Sequence, residues 1–379
     1  MKNFFLKHKL ATLLTLAIIT RIILLGGSLL INNNLAQNWV HWDGWWYMDI
    51  TNNGYDTDFP LVNPENIVCN QGSGACQRNF AFFPLYPISI NALHSLSGLA
   101  PELSGILLSN LAFLGCVYLL FKLAKQLFNS KVAFITGLLF AISPLSYVFS
   151  ALMSESLFVF FLLLTLLLTI NKKYLLAGLI GGLLSATRNT GVLVLIPMIM
   201  IYWKQNKNDF NLKKLNWKML LSLLMVPVGI IIYSGYLNYL VGDPLAFIHI
   251  QAFWEKPVNG IHPLLAIPFS IFDYSLEGSL KIHIYDLIWF FGALTIFFIG
   301  LRKKLVPFYL NSIILWLFVP LMAGSMVALP RYISVLFPIY LIIGKLLSKK
   351  SRLVFVCIIS FICLLILSYF YILGLWITV

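Results

Sequence analysis

Charge is scarce in this chain. Asp, Glu, Lys and Arg make up 10% of its 379 residues and only thirteen of them are acids, against 60% hydrophobic residues. A soluble protein of this size cannot hide so much apolar surface, because surface-to-volume scaling leaves too much of it exposed. Cysteine is sparse as well. Cys116, Cys357 and Cys363 sit in apolar runs as filler, while Cys69 and Cys76 flank Asn-Gln-Gly-Ser-Gly-Ala. That pair either closes a small disulfide loop or stays reduced, and the spacing decides neither. No Cys/His spacing reads as a zinc site, no ligand cluster calls for a tightly held metal, and no Gly-rich phosphate loop is present. Nor does any soluble domain, linker or low-complexity tract interrupt the chain, so 1–379 reads as a single membrane domain.

What the chain does have is helix-length apolar runs rather than ten-residue alternations, which predicts an all-α polytopic membrane protein and not a barrel. About eleven transmembrane helices are expected, near 10–31, 102–122, 132–149, 154–170, 174–188, 190–203, 218–240, 284–301, 306–324, 332–347 and 352–377. The first run is too long for a signal peptide and no small-residue cleavage site follows it, so it reads as an uncleaved helix. With the N-terminus cytoplasmic, 20 of the 26 Lys and Arg fall in inside segments, and of the acids only Asp209 does. The C-terminus is then extracytoplasmic. The net charge of +13 is a topology signal and not a nucleic-acid surface. The Lys/Asn/Ile-rich composition suggests a prokaryotic plasma membrane. Two large outer segments result, 32–101 and 241–283. Residues 82–98 are read as a helix lying on or dipping into the outer face, because counting them as a span would invert the later loops.

Six basic residues have no topological reason to be where they are: Arg21, Arg78, Arg188, Lys256, Lys281 and Arg331. Arg21, near the middle of the first span, is expected to pair with an acid such as Glu155. The densest polar stretch is 39–55, where four tryptophans, two tyrosines, His41, Asp43 and Asp49 crowd together. An interfacial aromatic belt accounts for the rings but not for the embedded acids. Asp43 reads as a general base within an aromatic clamp of Trp42, Trp45, Trp46 and Tyr47, or else as a helix cap. Short polar clusters at outer helix ends add Ser154-Glu155-Ser156, Thr187-Arg188-Asn189 and Pro330-Arg331-Tyr332. Glu155 reads as a further acid or as an arginine partner, and Asp49 as a second acid or a solvated one. Arg188 and Arg331 read as phosphate ligands, since guanidinium forks match phosphate oxygens, or as snorkelling side chains.

Trp42-Asp43-x-x-Trp46-Tyr47-x-x-Ile50-x-x-x-Gly54-Tyr55 resembles the first-loop signature of the PIG-V-like mannosyltransferases, within the GT-C superfamily of membrane glycosyltransferases. Phe82-Phe83-Pro84-Leu85-Tyr86-Pro87 is similar to that family's next motif. Ser143-Pro144 through Ser154-Glu155-Ser156-Leu157-Phe158 is similar to its third, Arg188-Asn189-x-Gly191 to its fourth, and Pro330-Arg331-Tyr332 with Pro338 to a late GT-C motif. The resemblance implies an inverting transferase that takes a hexose, most often mannose, from a polyprenyl-phosphate donor to a glycan or glycolipid hydroxyl on the outer face. It implies Asp43 as the catalytic base. Arg188 and Arg331 are then expected on the donor phosphate, and Trp42, Trp46, Tyr47, Asp49, Tyr86 and Glu155 around the substrates. No cofactor is expected beyond the lipid-linked sugar itself. Two other readings stand beside this one: a lipid-linked-sugar transporter or flippase, and a non-catalytic subunit of a surface-polysaccharide assembly. A transporter should carry polar residues deep in many spans, whereas here they gather at the outer ends.

Overall fold

The computed structural model describes residues 2–58, 77–206, 216–253, 284–319, 328–348 and 352–375, which contain helices and no strand. Cys69 and Cys76, whose pairing was left open, and most of the 241–283 segment lie outside the described residues. Helix α1 (Lys2–Ser28) is followed by two short helices, α2 (Leu35–Trp39) and α3 (Asp43–Asn53). Next come α4 (Leu85–Ser97), α5 (Pro101–Leu127), α6 (Ser130–Ala141), α7 (Glu155–Ile170), α8 (Tyr174–Thr187) and α9 (Leu195–Gln205). The chain continues through α10 (Trp217–Met225), α11 (Val228–Val241), α12 (Ala246–His249), α13 (Ile284–Arg302), α14 (Phe308–Asn311), α15 (Leu329–Ser334), α16 (Pro338–Leu347) and α17 (Leu353–Ile372).

Among the described residues four helices are long and apolar enough to cross a membrane: His8–Ser28, Pro101–Leu127, Trp217–Val241 and Leu353–Ile372. Helix length therefore supports four of the eleven expected crossings. Several others are cut short at the polar clusters. The expected 132–149 span stops at α6, where Ser143 and Pro144 turn the chain into a 3₁₀ helix, Pro144–Phe149. The expected 174–188 span is matched by α8, while the expected 190–203 span begins as a second 3₁₀ helix, Asn189–Val194, so that α9 starts only at Leu195. Pro144 lacks the amide that the next turn needs. Helix α4 is 13 residues long, roughly 20 Å at 1.5 Å per residue and so short of a 30 Å hydrocarbon core.

Broken backbone inside an apolar bundle must find internal partners. Arg21 supplies them. From α1 its Nη1 donates to the Ser146 carbonyl at 2.7 Å and to Ser150 Oγ at 3.0 Å. Its Nη2 donates to the Ala141 carbonyl at 3.0 Å and to Ser146 Oγ at 2.9 Å. Its guanidinium carbon lies 4.2 Å from the centre of the Phe113 ring. The expected acid partner is not used: Arg21 closes the gap where α6 ends, because a five-donor fork fits several converging acceptors at once. Asn110 on α5 adds a bond to the Ser150 carbonyl at 3.3 Å, and Ser109 one to the Met153 carbonyl at 3.2 Å. Arg21→Met is expected to lower the Tm in detergent by several degrees, since each buried acceptor left bare costs about 1–3 kcal/mol. Arg21→Lys should rescue only part of it, lacking the fork. An unchanged melting curve for both variants would refute this role.

Close backbone packing holds α8 in place. A Cβ at Gly178 would stand 2.6 Å from the Ser222 Cα of α10, so only glycine admits this approach. The end of α8, with Arg188, is thereby fixed against the rest of the bundle.

Candidate active site

The segment after α1, which carries α2 and α3, docks onto the irregular strip between Ser143 and Glu155. The Leu152 amide donates to the Trp39 carbonyl at 3.0 Å. A Cβ at Gly44 would lie 3.0 Å from the Leu152 carbonyl oxygen, so the start of α3 presses directly on the strip. Trp42, just before α3, has φ 55° and ψ −115°, a conformation uncommon for a bulky residue and often kept at functional sites. It turns the chain so that Asp43 becomes the first residue of α3 and meets the strip's far end, where Glu155 begins α7.

Four charged side chains from four elements then form one chain of contacts. Asp43 Oδ2 is 2.6 Å from Arg331 Nη2, and Arg331 Nε is 3.0 Å from Glu155 Oε1. The same Glu155 oxygen accepts from Arg188 Nη1 at 2.6 Å. Exposure differs along the chain of contacts: the side chains are 20% exposed at Asp43, 5% at Arg331, 2% at Glu155 and 15% at Arg188. The buried middle, Glu155 and Arg331, joins two partly accessible ends of opposite charge. Glu155 offsets both guanidiniums, which would otherwise repel each other in a dry setting. Tyr332 adds an aromatic face 5.3 Å from the Arg188 guanidinium carbon and 5.9 Å from that of Arg331.

Tyr47 lies one turn along α3 and belongs to the same site. Its hydroxyl donates to Ser154 Oγ at 2.8 Å, and Arg188 Nη1 lies 3.4 Å from the same Ser154 oxygen. Burial pushes the Tyr47 phenol up, so it stays neutral and donates. Burial likewise lowers His41, which is edge-on to Tyr371 at 5.2 Å and neutral at pH 7.

The other expected substrate residues are placed differently. Asp49 lies six residues along α3, about 120° around the helix from Asp43. Its carboxylate accepts from Asn79 at 2.8 Å and from Asn53 at 2.9 Å, clipping the loop rather than joining the arginines. Tyr86 is fully buried, with its hydroxyl 2.6 Å from Ser109 Oγ and its ring 4.9 Å from Tyr47, so it supports the site from behind. Trp46 stacks on Phe82 at 5.9 Å, and Trp42 leans on Trp45 at 6.1 Å. Arg78, one of the unexplained cations, pairs with Asp58 at 2.6 Å; this hydrogen bond holds Asp58 below the usual carboxylate range. Three residues of the site carried no expectation: Ser154 as a bridge, Tyr332 as a ring beneath both arginines, and Tyr371 of α17. Ser154 and Tyr332 were legible as members of polar clusters. Tyr371, one of two tyrosines near the end of the mostly apolar α17, gave no signal.

No curated protein matches the chain in sequence. A family model described as dolichyl-phosphate-mannose-protein mannosyltransferase matches residues 83–233. That stretch holds Glu155 and Arg188 and leaves out Asp43 and Arg331. Among solved structures, ArnT from Cupriavidus metallidurans, bound to undecaprenyl phosphate, is similar with a TM-score of 0.54 at 13% identity, covering 90% of this chain and 60% of that one. At this identity the likeness is one of fold. An oligosaccharyltransferase from Archaeoglobus fulgidus, tethered to an acceptor peptide, is similar with a TM-score of 0.52 at 12% identity, covering 97% of this chain and 56% of that one. The chain spans about 60% of the length of ArnT.

Proposed function

We propose that this GT-C chain is an inverting glycosyltransferase that moves a hexose, mannose first among candidates, from a polyprenyl phosphate to an acceptor hydroxyl on the extracytoplasmic face. The observation that carries the reading is the Asp43–Arg331–Glu155–Arg188 chain of contacts, with an accessible carboxylate at one end and an accessible guanidinium at the other. The ordered PIG-V-like motifs and the mannosyltransferase description of the family model support the choice of sugar.

In this mechanism Asp43 takes the proton from the acceptor hydroxyl as its oxygen bonds to the anomeric carbon. The bond from that carbon to the phosphate oxygen breaks, and its electron pair leaves on the lipid phosphate. Arg188 and Arg331 meet the charge that develops there. One Asp43 oxygen is held by Arg331 in the free protein. Phosphate arriving beside Arg331 competes for that guanidinium and releases the Asp43 oxygen for the acceptor. Donor binding thus readies the base. Glu155 is a positioning residue, touching neither substrate.

Arg21, the deep polar residue a transporter reading would use, is spent on the backbone of the strip, which favours the enzyme. The test is label transfer from synthetic polyprenyl-phosphate mannose to a membrane-extract acceptor by the purified protein in nanodiscs. Labelled product is the expected result. Binding of several polyprenyl-phosphate hexoses without transfer of any would favour the transporter instead.

A further inference from the structure

A second site lies at the opposite end of the bundle. Ser109 of α5 bonds beside the strip, and Leu127 is 18 residues further along the same helix, about 27 Å away at 1.5 Å per residue. There a cleft of about 750 Å³ opens among Leu127, Phe128, Val306, Phe308, Asn311 and four lysines, Lys204, Lys303, Lys304 and Lys345. Among the described residues no acid lines it and none of the four lysines forms an ion pair. Two ammoniums rest on rings instead: Lys345 is 4.7 Å from the centre of Phe128 and Lys204 is 5.6 Å from that of Tyr309. Lys304, at φ 48°, ends α13 in a left-handed turn closed by Leu305 N donating to the Gly300 carbonyl at 3.1 Å.

The positive-inside rule accounts for lysines at this end but not for a hollow between them. Nor does it account for Asn311, which is 1% exposed. Its Nδ2 donates to the Phe297 carbonyl at 3.2 Å while its Oδ1 is buried without a partner. A buried acceptor lacking a donor is costly and calls for a partner from outside the chain. The cleft thus offers an anion-binding rim, an apolar and aromatic wall, and one acceptor waiting for a hydroxyl.

We propose that this cleft binds an anionic phospholipid of the leaflet at the lysine-rich end, by the positive-inside rule the cytoplasmic one. Its phosphate sits among Lys204, Lys303, Lys304 and Lys345, its acyl chain lies against Leu301, Val306 and Phe308, and a headgroup hydroxyl donates to Asn311 Oδ1. A free phosphate would satisfy the lysines but leave the apolar wall unused.

The test reads the Tm of the full chain in a neutral detergent. Short-chain phosphatidylglycerol, phosphatidylmethanol, phosphatidylcholine and inorganic phosphate are added in turn. Phosphatidylglycerol is expected to raise the Tm by several degrees, phosphatidylmethanol (same charge, no headgroup hydroxyl) by less, and phosphatidylcholine by little. The Lys303→Gln/Lys304→Gln double variant, altered only at exposed positions, should need roughly tenfold more phosphatidylglycerol for half the shift, and salt should weaken binding to wild type. Equal shifts from phosphatidylglycerol and phosphatidylcholine would overturn the site, as would an unchanged double variant. Inorganic phosphate matching the lipid would overturn the lipid assignment.

Discussion

Asp43→Asn is expected to lower the rate of sugar transfer about 100- to 10,000-fold, the range a positioned general base supplies. The amide has nearly the same shape and keeps an oxygen toward Arg331, so the fold and the arginine positions should persist. The loss should fall on kcat, with the KM for the lipid-linked donor unchanged or lowered, because in the proposed mechanism a neutral amide competes less with the donor phosphate for Arg331. Asp49→Asn provides the contrast. Its carboxylate is bound to Asn79 and Asn53, so its effect on transfer should stay within a few fold. If Asp49→Asn abolished transfer while Asp43→Asn did not, the two acids would exchange roles.

Glu155→Leu carries the second large effect, this time on stability. Glu155 is 2% exposed and is the shared partner of Arg188 and Arg331. Removing one member of a buried ion pair leaves an uncompensated charge, at a cost of about 3–5 kcal/mol. Here two guanidiniums are left facing each other. Thermal unfolding in detergent should show a fall in Tm well beyond that of a surface substitution such as Lys125→Gln. Glu155→Leu combined with Arg188→Leu should recover part of the loss, because the pair is then replaced by apolar groups. Strictly additive losses would contradict the pairing. Transfer should fail in every Glu155 variant that still folds, through misplaced arginines rather than lost chemistry.

The site was legible where charge was conspicuous. In a chain this poor in acids, Asp43 and Glu155 stand out at apolar helix ends, as do Arg188 and Arg331, and all four meet in space. Arg21 was equally conspicuous, yet its partner was misread. Sequence shows charged side chains and does not show backbone carbonyls freed by a helix break, so an acid was expected where Ala141 and Ser146 carbonyls accept. The Ser143-Pro144 pair announces that break, but only the fold shows which side chain repairs it. Tyr86 sits in a conspicuous motif and was expected at the substrate. Its hydroxyl reaches Ser109, 23 positions along the chain, a contact that spacing does not reveal. Helix count was the least legible feature. Hydropathy registers apolar length and passes over the 3₁₀ turns that shorten α6 and α9.

The most direct test of the central claim, that these four charges form one donor-and-acceptor unit, is a structure of the full chain with polyprenyl phosphate bound. The account predicts phosphate oxygens about 3 Å from the Arg188 and Arg331 guanidiniums. The Asp43–Arg331 contact, now 2.6 Å, should lengthen and leave the carboxylate open to the acceptor. Phosphate bound away from both arginines, with the Asp43–Arg331 contact intact, would contradict it.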